Sequence, residues 1–295
     1  MKISSIAAAA ALALLASTGA QAEGHYVAGV EGLQAASVPP PGMYYLGYLV
    51  NYQIDDFRAP GTSSNLPGHN RGTVTALANR FVWMTGHKLL GADYGVEAIV
   101  PVLRTSLTVN AAGISDSRTG VGDVYLGPLV LGWHGPQWDA VAAVGMWFDT
   151  ASTSAPASPG KGFKSTMLTG GLTYYFDGAK TISGAALARY EFNGRNDAGR
   201  RPGDQLTLEW SLGKSFGAVS AGLVGYSQWQ TTNDSGTGAS TSKSARHAVG
   251  AELVYPVPGA GMFLKGALYK EFSAKAGTGP EPKGSLLRLT LVKAF

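Results

Sequence analysis

Nine ionisable side chains stand inside otherwise apolar runs: Arg80, Glu97, Asp123, Arg189, Glu191, Glu209, Glu252, Lys265 and Arg288. Glu209 is set against Leu206, Leu208, Trp210 and Leu212; Lys265 against Met262, Leu264 and Leu268; Arg288 against Leu287, Leu289 and Leu291. Charged groups kept from bulk water need partners, and Glu97 is spaced to meet Arg80 on an adjacent strand. Four cations face five anions. That balance argues against a strongly ion-selective constriction, which one sign of charge would line. The same charges could instead pair across strands and stiffen a filled interior.

Catalytic chemistry finds less support. The histidines His25, His69, His87, His134 and His247 form no HxxxH or HExxH spacing, so they read as surface or interface residues and not metal ligands. No G-x-S-x-G elbow occurs. Gly120-Val121-Gly122-Asp123 opens a strand and not a helix, so it fails as a dinucleotide fingerprint. The chain has no cysteine, which excludes disulfide, zinc-finger, iron–sulfur and thiol chemistry. No catalytic residue and no cofactor is expected. The alternative, a hydrolase built on a barrel, requires Ser, His and Asp to converge on a rim.

The isolated charges must be carried by strands. From Met43 to Phe57 the even positions Tyr44, Leu46, Tyr48, Val50, Tyr52 and Ile54 are apolar or aromatic, while the odd ones include Gly47, Asn51, Gln53 and Asp55. Alternation at period two is a strand with two unlike faces. The same reading gives strands at 43–57, 72–86, 93–107, 121–134, 138–150, 164–177, 181–193, 203–214, 218–230, 245–256, 261–272 and 284–295. These are long for a globular protein, where about 5–6 residues is usual, and long enough for a tilted bilayer crossing of about 9–11. Long and short connections alternate. Gly135-Pro136-Gln137 and Gly178-Ala179-Lys180 are tight turns, whereas 61–71, 151–162 and 231–244 are long and polar. Outer-membrane barrels sort their loops in this way. The fold class is therefore all-β: a transmembrane antiparallel β-barrel of about twelve strands, with short periplasmic turns and long extracellular loops.

Composition agrees. Only 14% of the 295 residues are charged, 41 are glycine, and the mean hydropathy is +0.04. The net charge of +4 forms no basic block, so nucleic acid is not an expected partner. Lipid, a small-molecule solute and the barrel-assembly machinery are. Aromatic residues cluster at strand ends, with Phe81, Trp83, Trp138 and Tyr174 at one rim and Trp147, Tyr226, Tyr269 and Phe272 at the other, as interfacial girdles require. Small residues including Gly47, Ala76, Gly145 and Gly170 are expected to leave lumen space.

Three segments follow. Residues 1–22 read as a secretory signal peptide, with Lys2, an uncharged run and Ala20-Gln21-Ala22 as a cleavage pattern. Residues 23–41 are too irregular for a strand and too apolar for a free tail, and Pro39-Pro40-Pro41 makes a stiff spacer. This segment, with His25, Tyr26 and Glu31, is expected either to plug the lumen or to cap the periplasmic rim. Residues 42–295 are the barrel. The last strand ends in Phe295, like the assembly signal of outer-membrane barrels; Lys293 departs from that pattern and is expected to snorkel toward headgroups.

Several stretches together resemble the outer-membrane transporter family associated with the meta pathway of phenol degradation. They are His25 to Leu33, Pro39 to Tyr45, Asn79 to Trp83 with Leu90 to Gly95, Gly122 to Pro128, and Gly203 to Leu206. The resemblance implies a bacterial outer-membrane channel passively admitting aromatic or other small hydrophobic molecules. It conveys a class of solute and no particular ligand.

Overall fold

The computed structural model describes residues 24–295; the signal-peptide reading of 1–22 lies outside them. The chain forms β1 (Gly42–Arg58), β2 (Asn70–Leu89), β3 (Ala92–Val109), β4 (Ile114–Val121), β5 (Val124–His134), β6 (Trp138–Phe148), β7 (Ser165–Tyr175) and β8 (Ile182–Asn193). After these come β9 (Arg200–Arg201), β10 (Gln205–Phe216), β11 (Val219–Gln230), β12 (Ser235–Gly236), β13 (Ala245–Val257), β14 (Met262–Lys275) and β15 (Glu281–Ala294). Strands β4 and β5 form one wall strand interrupted at Gly122 and Asp123. Strands β9 and β12 pair only with each other, among the outer loops. The rest is a closed antiparallel barrel of 12 strands. Its seam joins β1 to β15, from Tyr44 opposite Ala294 to Arg58 opposite Glu281.

The outer face is apolar: Leu77, Val144, Leu212, Leu253, Leu268 and Leu289 are exposed, each flanked by inward neighbours. In a barrel without edges every backbone group is paired within the wall, so such a face can meet lipid. The tight turns share one rim with Gly42 and Phe295, which is the periplasmic side; 59–69, 149–164, 194–204 and 231–244 occupy the other.

Several expectations need correcting. Residues 108–120, read as an outer loop, are mostly strand. Leu107 and Val109 continue the inward apolar row against Ile54 and Phe57, so β3 and β4 project as a hairpin. In β1 the apolar even face looks inward, with Val50 and Ile54 buried, because it packs against chain inside the barrel and not against lipid. Trp147, Tyr226 and Tyr269 are buried lumen residues and no part of a girdle, whereas Phe81, Trp83, Trp138, Tyr174 and Phe272 do face outward. Gly47 and Gly170 lie on the outward parity of their strands and line no lumen. Lys293 donates to the Ala260 carbonyl at 2.6 Å, satisfying a turn acceptor instead of reaching for headgroups.

Candidate functional site

Residues 24–38 lie inside the barrel as irregular chain. Gly29 and Gly32, at φ of 90° and 73°, and Gln34 at 56° turn it through left-handed conformations. Chain in no ladder leaves its N–H and C=O groups in need of partners, and the lone wall charges supply them. Glu191 on β8 accepts from the backbone N–H of His25 at 3.1 Å and of Tyr26 at 3.2 Å. Glu209 on β10 accepts from Glu31 N–H at 3.1 Å and from the Tyr26 hydroxyl. Glu252 on β13 accepts from Leu33 N–H at 3.2 Å. For the carbonyls, Arg288 on β15 donates to Gly29 and Val30, and Lys265 on β14 donates to Glu31 at 3.0 Å. Arg288 and Lys265 also pair with Glu252.

Glu31 is the hub. Its carboxylate receives Arg80 Nη1 at 3.1 Å and Arg189 Nη2 at 2.6 Å, from opposite parts of the wall. Arg80 also reaches Glu97, with Nε at 2.7 Å, and the Tyr48 hydroxyl at 3.2 Å. The Arg189 guanidinium stacks 4.2 Å over the Tyr26 ring. Two such cations facing one buried carboxylate need these extra contacts to offset their desolvation.

At the outer end His25 is buried, an interface position and not a surface one. Its ring is stacked on Trp147 and edge-on to Phe163, with Asp123 at 3.5 Å and Glu191 at 3.6 Å. Burial alone would lower its pKa; Asp123 and Glu191 outweigh that and raise it. Asp123 occupies the break between β4 and β5, and also accepts from Ala151 N–H at 3.0 Å and Lys161 N–H at 2.8 Å. Loop 149–164 is thereby folded down over the barrel mouth, with Ala157 and Phe163 buried.

Ser165 Oγ lies 2.9 Å from His25 Nδ1, so a serine, a histidine and an aspartate do meet. Ser165 Oγ also donates to a Glu191 carboxylate oxygen 3.1 Å away, and the two carboxylates beside His25 favour its protonated, donating form. Ser165 reaches neither cavity described below.

At the periplasmic end Ala36 N–H donates to Thr173 Oγ1 at 3.3 Å, and Ser37 meets the Tyr175 hydroxyl, which donates to Asp139. Every one of the nine lone wall charges therefore contacts residues 24–38 or a residue that does. The sequence reading missed Thr173, Ser165 and Tyr175, which carry no charge to mark them. It also missed the buried Arg246 and Glu271, too close to strand ends for period two to separate lumen from loop.

Two cavities flank the segment. The outer one, about 210 Å³, lies beneath loop 149–164. The larger, about 640 Å³, opens toward the periplasmic turns. Val30, Glu31, Tyr48, Arg80, Glu97 and Arg189 line both, so the Glu31 knot is the partition between them. Among the described residues no group of three His, Asp or Glu side chains could hold a metal ion.

An apolar outer belt, sorted loops and a lumen threaded by its own amino-terminal segment define an outer-membrane β-barrel. The chain belongs to the family described as "Putative MetA-pathway of phenol degradation", whose model matches residues 54–283. Its fold is similar to that of an outer membrane channel from Pseudomonas putida, at TM-score 0.77 and 14% identity, covering 92% of this chain and 100% of that one. It also resembles the transport unit of the autotransporter AIDA-I from Escherichia coli, at TM-score 0.51 and 8% identity, over 87% and 91% of the two chains. No curated protein matches the sequence.

Proposed function

We propose that this protein is an outer-membrane channel that passively admits small hydrophobic or aromatic solutes, and that residues 24–38 are its plug. The observation that carries the reading is the pair of cavities separated by the knot of Glu31, Arg80 and Arg189. A solute enters beneath loop 149–164, waits in the outer cavity, and passes when the knot yields toward the periplasmic one. The wall charges Glu191, Glu209, Glu252, Lys265 and Arg288 hold the plug's backbone, Asp123 holds its His25 ring, and together they select no ion. The solute class rests on family membership and on the apolar lining of the outer cavity. Phe295, whose N–H donates to Met43 O at 3.0 Å across the seam, serves in this reading as the signal to the barrel-assembly machinery.

Deleting residues 24–38 is expected to raise single-channel conductance in planar bilayers; unchanged conductance would sink the plug. Proteoliposomes are expected to swell faster in benzoate than in a sugar of similar size, and equal rates would make the protein a general pore. Ser165→Ala is expected to leave that flux intact.

A further inference from the structure

The outer face of the wall changes character along one line. Leu49, Leu77, Val102 and Val121 stand opposite one another across β1 to β4, all exposed, and form the upper edge of the lipid belt there. One step further from the periplasm, about 7 Å along the strands, the facing residues are Asn51, Thr75, Arg104 and Thr119. The next step brings Gln53, Thr73, Ser106 and Ser117, and beyond it Arg71 lies opposite Thr108. No apolar side chain interrupts this facet. Elsewhere the outer rim carries exposed rings such as Phe192 and Phe272, as an interface with lipid favours. The strands stay paired through the polar facet because their inner side is packed, with Leu107 and Val109 against Ile54 and Phe57. The facet is therefore part of a sheet, held at the depth of the headgroups beside the belt.

Its amides answer its hydroxyls: Asn51 donates to Thr75 Oγ1 at 2.9 Å, and Thr73 donates to Gln53 Oε1 at 3.1 Å. The carboxylates at the outer end of β1 are set against other cations. Asp55 accepts from Lys270 at 2.7 Å, and Asp56 stands opposite Lys283 across the seam. The two arginines are not answered. Arg71 and Arg104 are exposed, and among the described residues neither has an ion-pair or hydrogen-bond partner. They spring from backbone about 14 Å apart on neighbouring strands, with Thr73 and Ser106 between them.

A guanidinium fork takes a phosphate through two parallel hydrogen bonds, and hydroxyl and amide side chains exchange hydrogen bonds with sugar hydroxyls. The outer leaflet of a bacterial outer membrane offers both groups together in its glycolipid, a disaccharide phosphorylated at each end with acyl chains below. We propose that the outward facet of β1 to β4 is a docking surface for this phosphorylated glycolipid. Arg104 takes the phosphate nearer the belt and Arg71 the one further out. Thr73 and Ser106 face the sugars, and the acyl chains descend over Val102 and Leu77. The surface is independent of what passes through the lumen.

The experiment titrates the purified full-length chain in micelles with three lipids: bis-phosphorylated lipid A, the same lipid with both phosphates removed, and phosphatidylglycerol. The phosphorylated glycolipid is expected to bind about tenfold or more tightly than either of the others, as charge-assisted hydrogen bonds provide. In the double variant Arg71→Gln, Arg104→Gln that advantage is expected to fall to about twofold or less. Arg118→Gln makes the same change on the other face of the β3–β4 hairpin, where Arg118 pairs with Asp116 at 3.2 Å, and is expected to keep the advantage. Equal affinity for the phosphorylated and dephosphorylated forms would overturn the proposal. So would phosphatidylglycerol binding as tightly, which would make the facet a contact for any anionic lipid, or an unchanged advantage in the double variant. Inorganic phosphate in excess is expected not to displace the glycolipid; displacement would assign the arginines to a free anion and overturn the docking surface. Both arginines are exposed and touch no packed residue, so their loss leaves the wall intact, and the wild-type series decides even without the variants.

Discussion

A carboxylate inside a barrel must find donors, and here the donors are the backbone of an irregular segment and the guanidinium groups that embrace it. Glu31 is the residue on which most converges. Glu31→Ala removes the carboxylate that Arg80 and Arg189 share; Arg80 keeps Glu97, whereas Arg189 loses its ion-pair partner, a loss of about 3–5 kcal/mol in seating the plug. Openings in single-channel recordings are expected to become frequent, with the heat resistance of the barrel itself retained. Lys161, on the loop above, provides a pH test. Burial and Arg246 push its amine down to about 8, below its unfolded value. Between about pH 8 and 10.5 the unfolded chain therefore holds a proton that the folded chain has shed, so stability from this group rises with pH. The urea midpoint of the wild type, compared with that of Lys161→Met, is expected to gain between pH 7.5 and 9.5. The lone wall charges were legible in the sequence because period two isolates a charge among leucines. Their partners were not legible, since a backbone N–H looks the same at every position. Trp147 was misplaced because proximity to a strand end does not say which face a ring occupies.

At the scale of elements, the break between β4 and β5 does more than interrupt a ladder. Asp123, freed from strand pairing, ties the loop over the mouth to the plug beneath it. Asp123→Ala is expected to release loop 149–164, and external trypsin should then cut after Lys161 about tenfold faster; an unchanged rate would show that Ala157 on Asp116 suffices. Gly32 fixes the plug's own turn, since its φ is left-handed and a Cβ there would run into the Glu252 carboxylate. The strands were readable from alternation alone, and so was the sorting of their loops. The β3–β4 hairpin was not, because Ile114 to Val121 is polar on both faces once it leaves the wall, and polarity without an apolar row reads as loop.

For the whole molecule, low charge and abundant glycine follow from an outside that meets lipid and an inside that is occupied. Leu289, half-exposed at mid-strand on β15, belongs to the lipid belt. Leu289→Arg is expected to cost about 2–4 kcal/mol in urea unfolding from vesicles, whereas a soluble sandwich would tolerate it. The architecture could be read from composition and spacing; the state of the lumen could not, because both a plug and a rim cap satisfy the same polyproline spacer. The threaded segment also fixes an order in time. It is continuous with β1, one edge of the seam, and runs lengthwise from Gly24 near the outer mouth to Pro41 at the periplasmic rim. Once β1 has zipped to β15, entry remains only along the axis, against the knot. The thread is thus laid while the sheet is still open, and closure seals it in. A fusion partner placed ahead of Gly24 would have to be drawn into the lumen before the seam could shut. One inserted at the exposed tip 237–242 would stay outside throughout.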